Sequence, residues 1–251
     1  MKRNILFLLL LLSLSGCATS KPASQEIPPR HTVGEFRDQP FAYVSDPWEG
    51  FNRNMYRFNY YFDSYLYLPV VKGYEFITPV FLQERVSHFF DNISEIRNLT
   101  NSIFQLKGKE AATTLGRFLT NSTLGLGGLF DPATKWGLEK HPEDFGKTLG
   151  YWGAGSGPYL VLPVFGPSSV RDTGGLAADA GIRYGIYTAT IPSSDDSFTI
   201  ATGVETLEAI DARHLQSFRY YEGGYPFEYE LVRFVYHEKR ELESEKPEPP
   251  K

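Results

Sequence analysis

The chain has 251 residues, a formal net charge of −5 at pH 7 and a single cysteine. The negative charge gives no electrostatic basis for binding nucleic acid, and one cysteine excludes an intramolecular disulfide. With 19 phenylalanines and 16 tyrosines, the composition suits a body lying at a membrane surface, although a small helical core filled with rings would give the same numbers.

The first 16 residues have the pattern of an export signal. Lys2 and Arg3 precede an unbroken apolar run over residues 5–12. Because this run is much shorter than the roughly 20 apolar residues that cross a bilayer, we interpret it as a cleaved signal rather than a membrane span.

Lipidation is predicted at Cys17. The residues before it, Leu-Ser-Gly, form with it a sequence that resembles the lipobox of bacterial lipoproteins. An ordinary secreted protein with a cysteine near its cleavage site is the alternative. Two or three acyl chains would anchor the mature chain stably. Ala18 follows the cysteine, and by resemblance to known sorting signals this favours the outer membrane, with the body on the periplasmic side.

Composition divides the rest of the chain into three parts. Residues 17–45 are polar and contain prolines, which predicts a flexible tether after the lipidated cysteine. Residues 46–237 carry the helical signals of a single domain. Charges and prolines from residue 238 to 251 predict a disordered tail.

The first helix is predicted to begin at the sequence Asp46-Pro47, with the aspartate as N-cap and the proline at the first helical position. Apolar and aromatic side chains then recur at steps of three and four, which places them on one face of an amphipathic helix. They are Trp48, Phe51, Met55, Phe58, Phe62 and Tyr65.

Further helices follow from the same periodicity and from glycine and proline boundaries. They are predicted at 79–106, 110–119, 132–136, 142–152, 169–180, 198–220 and 226–241. Only residues 159–165 have the composition of an extended segment. The predicted fold class is therefore mainly α, a single domain of short amphipathic helices.

No signature of an enzyme is complete. The segment 153–157 (GAGSG) lacks the glycine that a nucleophile elbow requires two residues before its serine. The five histidines are scattered and do not stand at metal-ligand spacing. We therefore predict no catalysis, no metal and no cofactor.

Two other features could serve movement or passage. Gly153, Gly155 and Gly157 give the backbone unusual freedom and could form either a plain surface loop or a hinge. Arg171 and Asp172 are either a local ion pair or charges facing a polar passage.

Four stretches resemble the MlaA (VacJ) lipoproteins. They are residues 46–59 (DPWEGFNRNMYRFN), 117–131 (RFLTNSTLGLGGLFD), 145–166 (FGKTLGYWGAGSGPYLVLPVFG) and 169–175 (SVRDTGG). The resemblance runs from about residue 46 to about residue 213, and fades in the last helix.

This resemblance implies a ring of short helices around a polar channel, embedded in one leaflet of the outer membrane. It implies removal of mislocalised phospholipid from the outer leaflet, transfer to a soluble periplasmic carrier, and association with a trimeric porin. By the same resemblance, Gly153, Gly155 and Gly157 form a hinge that gates the channel, and Gly153→Pro is expected to alter lipid asymmetry without unfolding the protein.

Residues of the channel rim or lining are expected, on this resemblance, at Phe51, Asn52, Arg171 and Asp172. Two other functions remain open. The chain could be a porin-associated structural lipoprotein of the envelope without transport activity, or a lipid hydrolase.

Overall fold

A computed structural model describes residues 44–190 and 197–244 of the chain. The signal segment, Cys17 and the predicted tether up to residue 43 lie outside the described residues. The described part is mainly helical, as predicted, with one short β-hairpin. The helices are α1 (Glu49–Phe62), α2 (Leu68–Ile77), α3 (Val80–Phe104), α4 (Gly108–Thr123), α5 (Pro132–Lys135), α6 (Phe145–Tyr151), α7 (Val170–Thr190), α8 (Ser197–His214) and α9 (Glu228–Ser244).

The hairpin pairs β1 (Tyr159–Leu162) with β2 (Gly166–Ser169) as antiparallel strands. Its position agrees with the extended segment predicted at 159–165, but the return strand was not predicted because Gly166 and Pro167 are poor strand formers. Helix α3 packs along α4, and α6 packs along α7. Helix α9, the last described helix, packs against α6 and β2.

The start of α1 differs from the prediction. The helix begins at Glu49 with Trp48 as its N-cap, and no side chain caps it. The Asp46 carboxylate instead accepts a hydrogen bond from Asn52 Nδ2 at 2.7 Å and contacts Arg233 Nη1 at 3.1 Å. A buried arginine is a stronger partner for a carboxylate than exposed helix N–H groups are, so tertiary contacts displace the cap.

A π-helical turn, Asp63–Tyr67, joins α1 to α2. The buried Asp63 accepts two hydrogen bonds from Arg213 of α8, at 2.7 and 2.8 Å. Such turns insert one extra residue and reorient side chains, frequently at functional sites. This π-helical turn contains Asp63, whose carboxylate binds Arg213 of α8.

Asn52 and Asn59 attach α1 to the hairpin. Asn52 donates to Tyr159 O at 3.0 Å and accepts from Val161 N–H at 2.9 Å. Both asparagines are buried. The helix therefore contacts the hairpin through the side that carries these asparagines and Tyr56, and not through the predicted apolar face.

The distribution of side chains is the reverse of that in a water-soluble domain. Among the described residues, most buried side chains are polar or charged, while large apolar side chains are exposed along the whole chain. On α1 the buried residues are Asn52, Tyr56 and Asn59. The predicted apolar face of this helix lies on the outside, with Phe51 and Phe58 about half exposed.

A small tyrosine-rich core lies where α1, the hairpin and α9 meet. The rings of Tyr56, Tyr159 and Tyr229 are almost fully buried and pack edge to face, with centroids 5.7 and 6.0 Å apart. The Tyr56 hydroxyl donates to Glu228 at 2.6 Å. Edge-to-face packing suits the ring quadrupole, and the bond to Glu228 satisfies the buried Tyr56 hydroxyl.

The predicted tail begins too early. Residues 238–244 continue α9, which ends at Ser244, and residues 245–251 lie outside the described residues. The charges that indicated disorder are partly used in ion pairs, since Arg240 binds Asp144 and Asp172. Helix α2 was also missed, because its sequence LPVVKGYEFI is short and carries no clear helical period. The domain also begins before residue 46, because Val44 is buried in the core and the Ser45 carbonyl accepts a hydrogen bond from the Tyr159 N–H at 2.8 Å. The boundary after residue 16 stays a prediction.

Candidate functional site

The second half of helix α3 carries a row of buried polar side chains. Asn92, Glu95, Asn98, Asn101 and Gln105 follow one another at steps of three and four residues, and all are buried. Because each step of three residues falls short of a full turn, the row winds around the helix. Asn92 donates to Ser122 of α4, whereas Asn101 contacts Thr148 of α6 and Asp179 of α7. The row covers the second half of α3 and ends at Gln105, the residue that follows the helix.

The far end of this row binds the segment that leads into α6. Asn101 accepts from the Thr148 hydroxyl at 2.8 Å and donates to Asp179 at 3.0 Å. Gln105 donates to Glu143 at 2.9 Å and to Thr148 at 3.0 Å. These amides connect α3, α6 and α7, beside the ring contacts that Phe104 makes with Phe145 and Trp152.

Arg117 of α4 is the centre of the first charged cluster. Its side chain is only 1% exposed, and it binds Glu95 at 2.7 Å and Asp131 at 3.0 Å. The same guanidinium donates to Thr134 at 3.0 Å. Burial alone would raise the pKa of Asp131. Hydrogen bonds from Thr134, Asn121 and Arg117 outweigh burial and lower this pKa. Asp131 is therefore an anion near neutral pH, and each nitrogen of the Arg117 guanidinium has a hydrogen-bond partner.

A polar groove adjoins this cluster. It has a volume of about 410 Å³, which is within the range of sites for small molecules. Its lining includes His88, Asp91, Asp131, Thr134, Glu139 and Lys140.

The second charged cluster joins α6, α7 and α9. Arg240 of α9 binds Asp144 with two hydrogen bonds of 2.7 Å and Asp172 at 2.9 and 3.0 Å. Tyr236 also donates to Asp172, at 2.7 Å. Burial alone would raise the pKa of Asp172, but the charge and hydrogen bonds of Arg240 dominate and lower it to about 2. Asp172 is therefore a buried anion near neutral pH.

Arg171 and Asp172, two of the predicted lining residues, lie together at this cluster. Arg171 Nε contacts Asp172 at 3.1 Å, and both side chains are nearly buried. The other two predicted residues, Phe51 and Asn52, lie on different sides of α1. Phe51 points outward and is 50% exposed, whereas Asn52 is 0% exposed and binds Asp46 and β1. Whether any of the four contacts a passing ligand stays a prediction.

The first predicted hinge glycine ends helix α6. Gly153 has a φ of 98°, its N–H donates to Gly150 O at 2.8 Å, and the Ala154 N–H donates to Leu149 O at 2.9 Å. This pattern is a Schellman motif, in which a left-handed glycine satisfies the last carbonyls of a helix. Gly153→Pro would remove one of these bonds and is incompatible with the positive φ. An effect of Gly153→Pro could therefore come from loss of the C-terminal cap of α6 as well as from loss of hinge motion.

The downstream half of the segment is bonded to the start of α7. The Val170 N–H donates to Pro158 O and the Arg171 N–H donates to Ser156 O, both at 3.1 Å. Gly157 also has a positive φ, of 68°. Gly155 lies between the two bonded halves, and a Cβ added there would meet no atom within 4 Å.

The outer surface is apolar at both ends of α3. At the corner before it, Phe76 is 91% exposed, and Ile77, Val80 and Phe81 are exposed as well. At the corner after it, Leu106 is 89% exposed, next to the exposed Ile103 and Phe104. Exposed apolar patches of this kind mark surfaces that are covered by a membrane or a partner.

The described residues contain neither a membrane-spanning helix nor a cluster of metal ligands. None of the helices there is long and apolar enough to cross a membrane. In the same ranges, no three residues among histidine, cysteine, aspartate and glutamate are grouped so that they could bind a metal ion.

A family model described as MlaA lipoprotein matches residues 44–243, which is most of the chain. The chain belongs to the MlaA lipoprotein family. A solved structure described as the structural basis for maintenance of bacterial outer membrane lipid asymmetry aligns with a TM-score of 0.63 and 31% identity. The alignment covers 80% of this chain and 100% of that chain.

Relatives with a named role support the same family. The intermembrane phospholipid transport system lipoprotein MlaA of Escherichia coli K12 is 37% identical over 166 residues, 64% of this chain and 65% of that protein. Its Haemophilus influenzae counterpart is 31% identical over 180 residues, 70% and 66% of the two chains. A Rickettsia prowazekii protein is 37% identical over 173 residues, 68% of each chain. The chain spans between 51% and 68% of the length of the curated relatives it matches.

For this MlaA-family chain, sequence analysis missed the polar row of α3 and the charged residues of α9. The row had a detectable signal, because its polar side chains repeat with the helical period. Tyr236, Arg240 and Glu241 were missed because the family resemblance fades in the last helix, and a charge-rich helix end has the same composition as a disordered tail. Contacts from Arg240 and Tyr236 to Asp172 distinguish the two.

Proposed function

We propose that this chain is an outer-membrane lipoprotein, lipidated at Cys17, that removes mislocalised phospholipid from the outer leaflet through a polar channel and so maintains lipid asymmetry. Its ring of helices is embedded in one leaflet, with the body facing the periplasm. The observation that carries the proposal is the combination of a buried polar row on α3 with apolar side chains exposed at both ends of the same helix.

The two apolar corners support an orientation of α3 in the plane of the membrane. The helix has 25 residues and is therefore about 37 Å long. The hydrocarbon region of a single leaflet is roughly 15 Å deep. Both corners can contact hydrocarbon of the same leaflet only if α3 lies nearly parallel to the membrane. Several short helices in this orientation can surround an opening.

The buried polar side chains support passage of a lipid headgroup. A charged headgroup crosses apolar material only at a cost of several kcal/mol, and fixed hydrogen-bonding groups lower that cost. Phe51, Asn52, Arg171 and Asp172 are proposed at the rim or lining of the channel. Asn52 is better suited to positioning the hairpin, since its amide already binds Asp46 and β1.

The proposed hinge consists of Gly153, Gly155 and Gly157. The proposed partners are phospholipid, a soluble periplasmic carrier that receives it, and a trimeric porin beside which the ring is inserted. The names of the Escherichia coli and Haemophilus influenzae relatives describe intermembrane phospholipid transport and so support phospholipid as the transported molecule.

Reconstitution tests the proposal against its alternatives. The full mature protein, inserted in vesicles that contain a labelled phospholipid, is mixed with a purified periplasmic lipid carrier. We expect the carrier to receive intact labelled lipid only when the protein is present. A porin-associated structural protein would leave the label in the vesicle, and a hydrolase would release lysolipid. Either result would reject transport.

A variant of the anchor separates tethering from embedding. Cys17→Ser removes the predicted lipidation site. If the body is embedded through its own apolar corners, the variant still needs detergent to stay in solution. If only the lipid attaches the chain to the membrane, the variant is soluble without detergent, and the embedded ring is wrong.

A further inference from the structure

The glycine segment 153–157 has a single unconstrained joint. Upstream of Gly155 the backbone belongs to the end of α6, and downstream it is bonded to α7. Gly155 has neither a positive φ nor any atom within 4 Å of the position of an added Cβ. A rotation of one half against the other therefore requires the fewest broken contacts at this residue.

An ion pair bridges this joint from the side. Arg171 Nη1 donates to Ala154 O at 3.4 Å, on the upstream side of Gly155. The same atom contacts Glu241 Oε1 of α9 at 3.2 Å. That carboxylate oxygen also accepts a hydrogen bond from the Ser156 hydroxyl, on the downstream side. The Arg171–Glu241 pair thus contacts both residues that flank Gly155.

Burial distinguishes the members of this arrangement. Arg171 and Ser156 are each only 6% exposed, so their positions are determined by the surrounding structure. The Glu241 side chain is 42% exposed and reaches the loop from the outer side of α9. Changing Glu241 therefore removes the bridge without creating a cavity or an isolated buried charge, because Arg171 keeps its contact with Asp172.

We propose that Glu241 is a positioning residue for lipid passage, which fixes the glycine segment across Gly155 through Ser156 and Arg171. It touches neither lipid nor carrier. It determines how readily the two halves of the segment rotate, and it makes the last helix part of the gating device. The inference rests on the proposed transport function and on the proposed hinge.

Hydrogen exchange measures the positioning directly. In the detergent-solubilised full mature protein, Glu241→Ala and Ser156→Ala should each raise amide exchange over residues 153–158 about fivefold, the factor expected for loss of one ordinary hydrogen bond. The double variant should exchange no faster than Glu241→Ala alone, because Ser156→Ala removes only a contact that Glu241→Ala also removes. Glu241→Gln retains an acceptor oxygen and should restore most of the protection.

A matched control lies one turn earlier on the same helix. Glu238 is exposed, and Glu238→Ala should leave exchange over residues 153–158 as in the wild type. Unchanged exchange in Glu241→Ala, or additive effects of Glu241→Ala and Ser156→Ala, would overturn the proposed bridge.

The transport assay then tests the function of the bridge. Glu241→Ala should change the rate of labelled-lipid transfer to the carrier by about twofold or more, in the range typical of residues that couple to a site without touching it. Faster exchange with an unchanged transfer rate would reject Glu241 as a positioning residue while leaving transport intact. A wild-type protein that transfers no lipid would instead reject the proposed function, so the two failures are distinguishable.

Discussion

Asn52 and Asn59 make equivalent contacts with the hairpin seven residues apart on α1. Asn52 binds the carbonyl of Tyr159 and the N–H of Val161, and Asn59 binds the carbonyl of Leu162 and the N–H of Val164. In each case one side-chain amide pairs with the carbonyl of one residue and the N–H two residues later, as a neighbouring strand would. Two helix side chains thus replace a third strand at the edge of β1.

We expect the two asparagines to differ in their effect on stability. Asn52→Ala leaves buried partners without hydrogen bonds and should lower the free energy of unfolding by about 3 kcal/mol. Asn59→Ala should cost about 1 kcal/mol, because Val164 is half exposed and water can replace the amide. Denaturant unfolding in detergent measures both. Lys72→Ala, at an exposed position of α2, is the control, and an equal loss there would contradict the assignment.

The buried pair Arg117–Glu95 should dominate the electrostatic part of stability. Glu95→Gln removes one charge from a cluster that is almost completely buried, and we expect a loss of about 3 to 5 kcal/mol. The exposed pair Arg183–Glu208 gives the comparison, because Arg183→Ala should cost less than about 1 kcal/mol. Similar losses for the two variants, measured as unfolding free energies under one set of conditions, would refute the structural role of the cluster.

Acid should destabilise the protein through Asp172. Its pKa is about 2 in the folded chain against an ordinary value of 3.8, so its ionised form favours the folded state. The contribution, about 2 kcal/mol, is complete above the ordinary value and is lost as the pH falls through the folded value.

Thermal unfolding of wild type and Asp172→Asn tests this expectation. The wild type should lose stability between about pH 4 and about pH 2, and the variant should lose less over the same interval because its side chain does not titrate. Equal slopes for the two proteins would assign the acid sensitivity to other carboxylates, such as Asp131 and Asp144, whose pKa values are also lowered.

Alanine at the glycines should separate helix capping from hinge motion. Gly153→Ala places a side chain at a φ of 98° and should lower stability by about 1 to 2 kcal/mol. Gly155→Ala fits the structure, and it should keep or slightly raise stability while slowing lipid transfer, because alanine restricts the backbone. Melting temperature and the vesicle assay are measured on both. Wild-type transfer by Gly155→Ala would show that this residue is not the joint.

Local patterns were sufficient for a large part of the fold. The apolar periods of α1 and α3, and the glycines that end α4 and α6, predicted these helices because helix formation depends on neighbours three and four residues away. The four family-like stretches identified the family, which the family model over residues 44–243 confirms. The export signal and the lipidation of Cys17 stay predictions from the sequence, because both lie outside the described residues.

Only the tertiary structure determined which face of each helix lies inside. A helical wheel separates polar from apolar side chains, but it does not say which set contacts the rest of the protein when the surroundings are lipid. The same applies to Asp46, whose carboxylate binds residues of α9 instead of capping α1. These contacts join residues more than 180 positions apart, so no short-range pattern could reveal them. Hydrogen bonds between such distant buried charges form only when the tertiary structure brings the partners together.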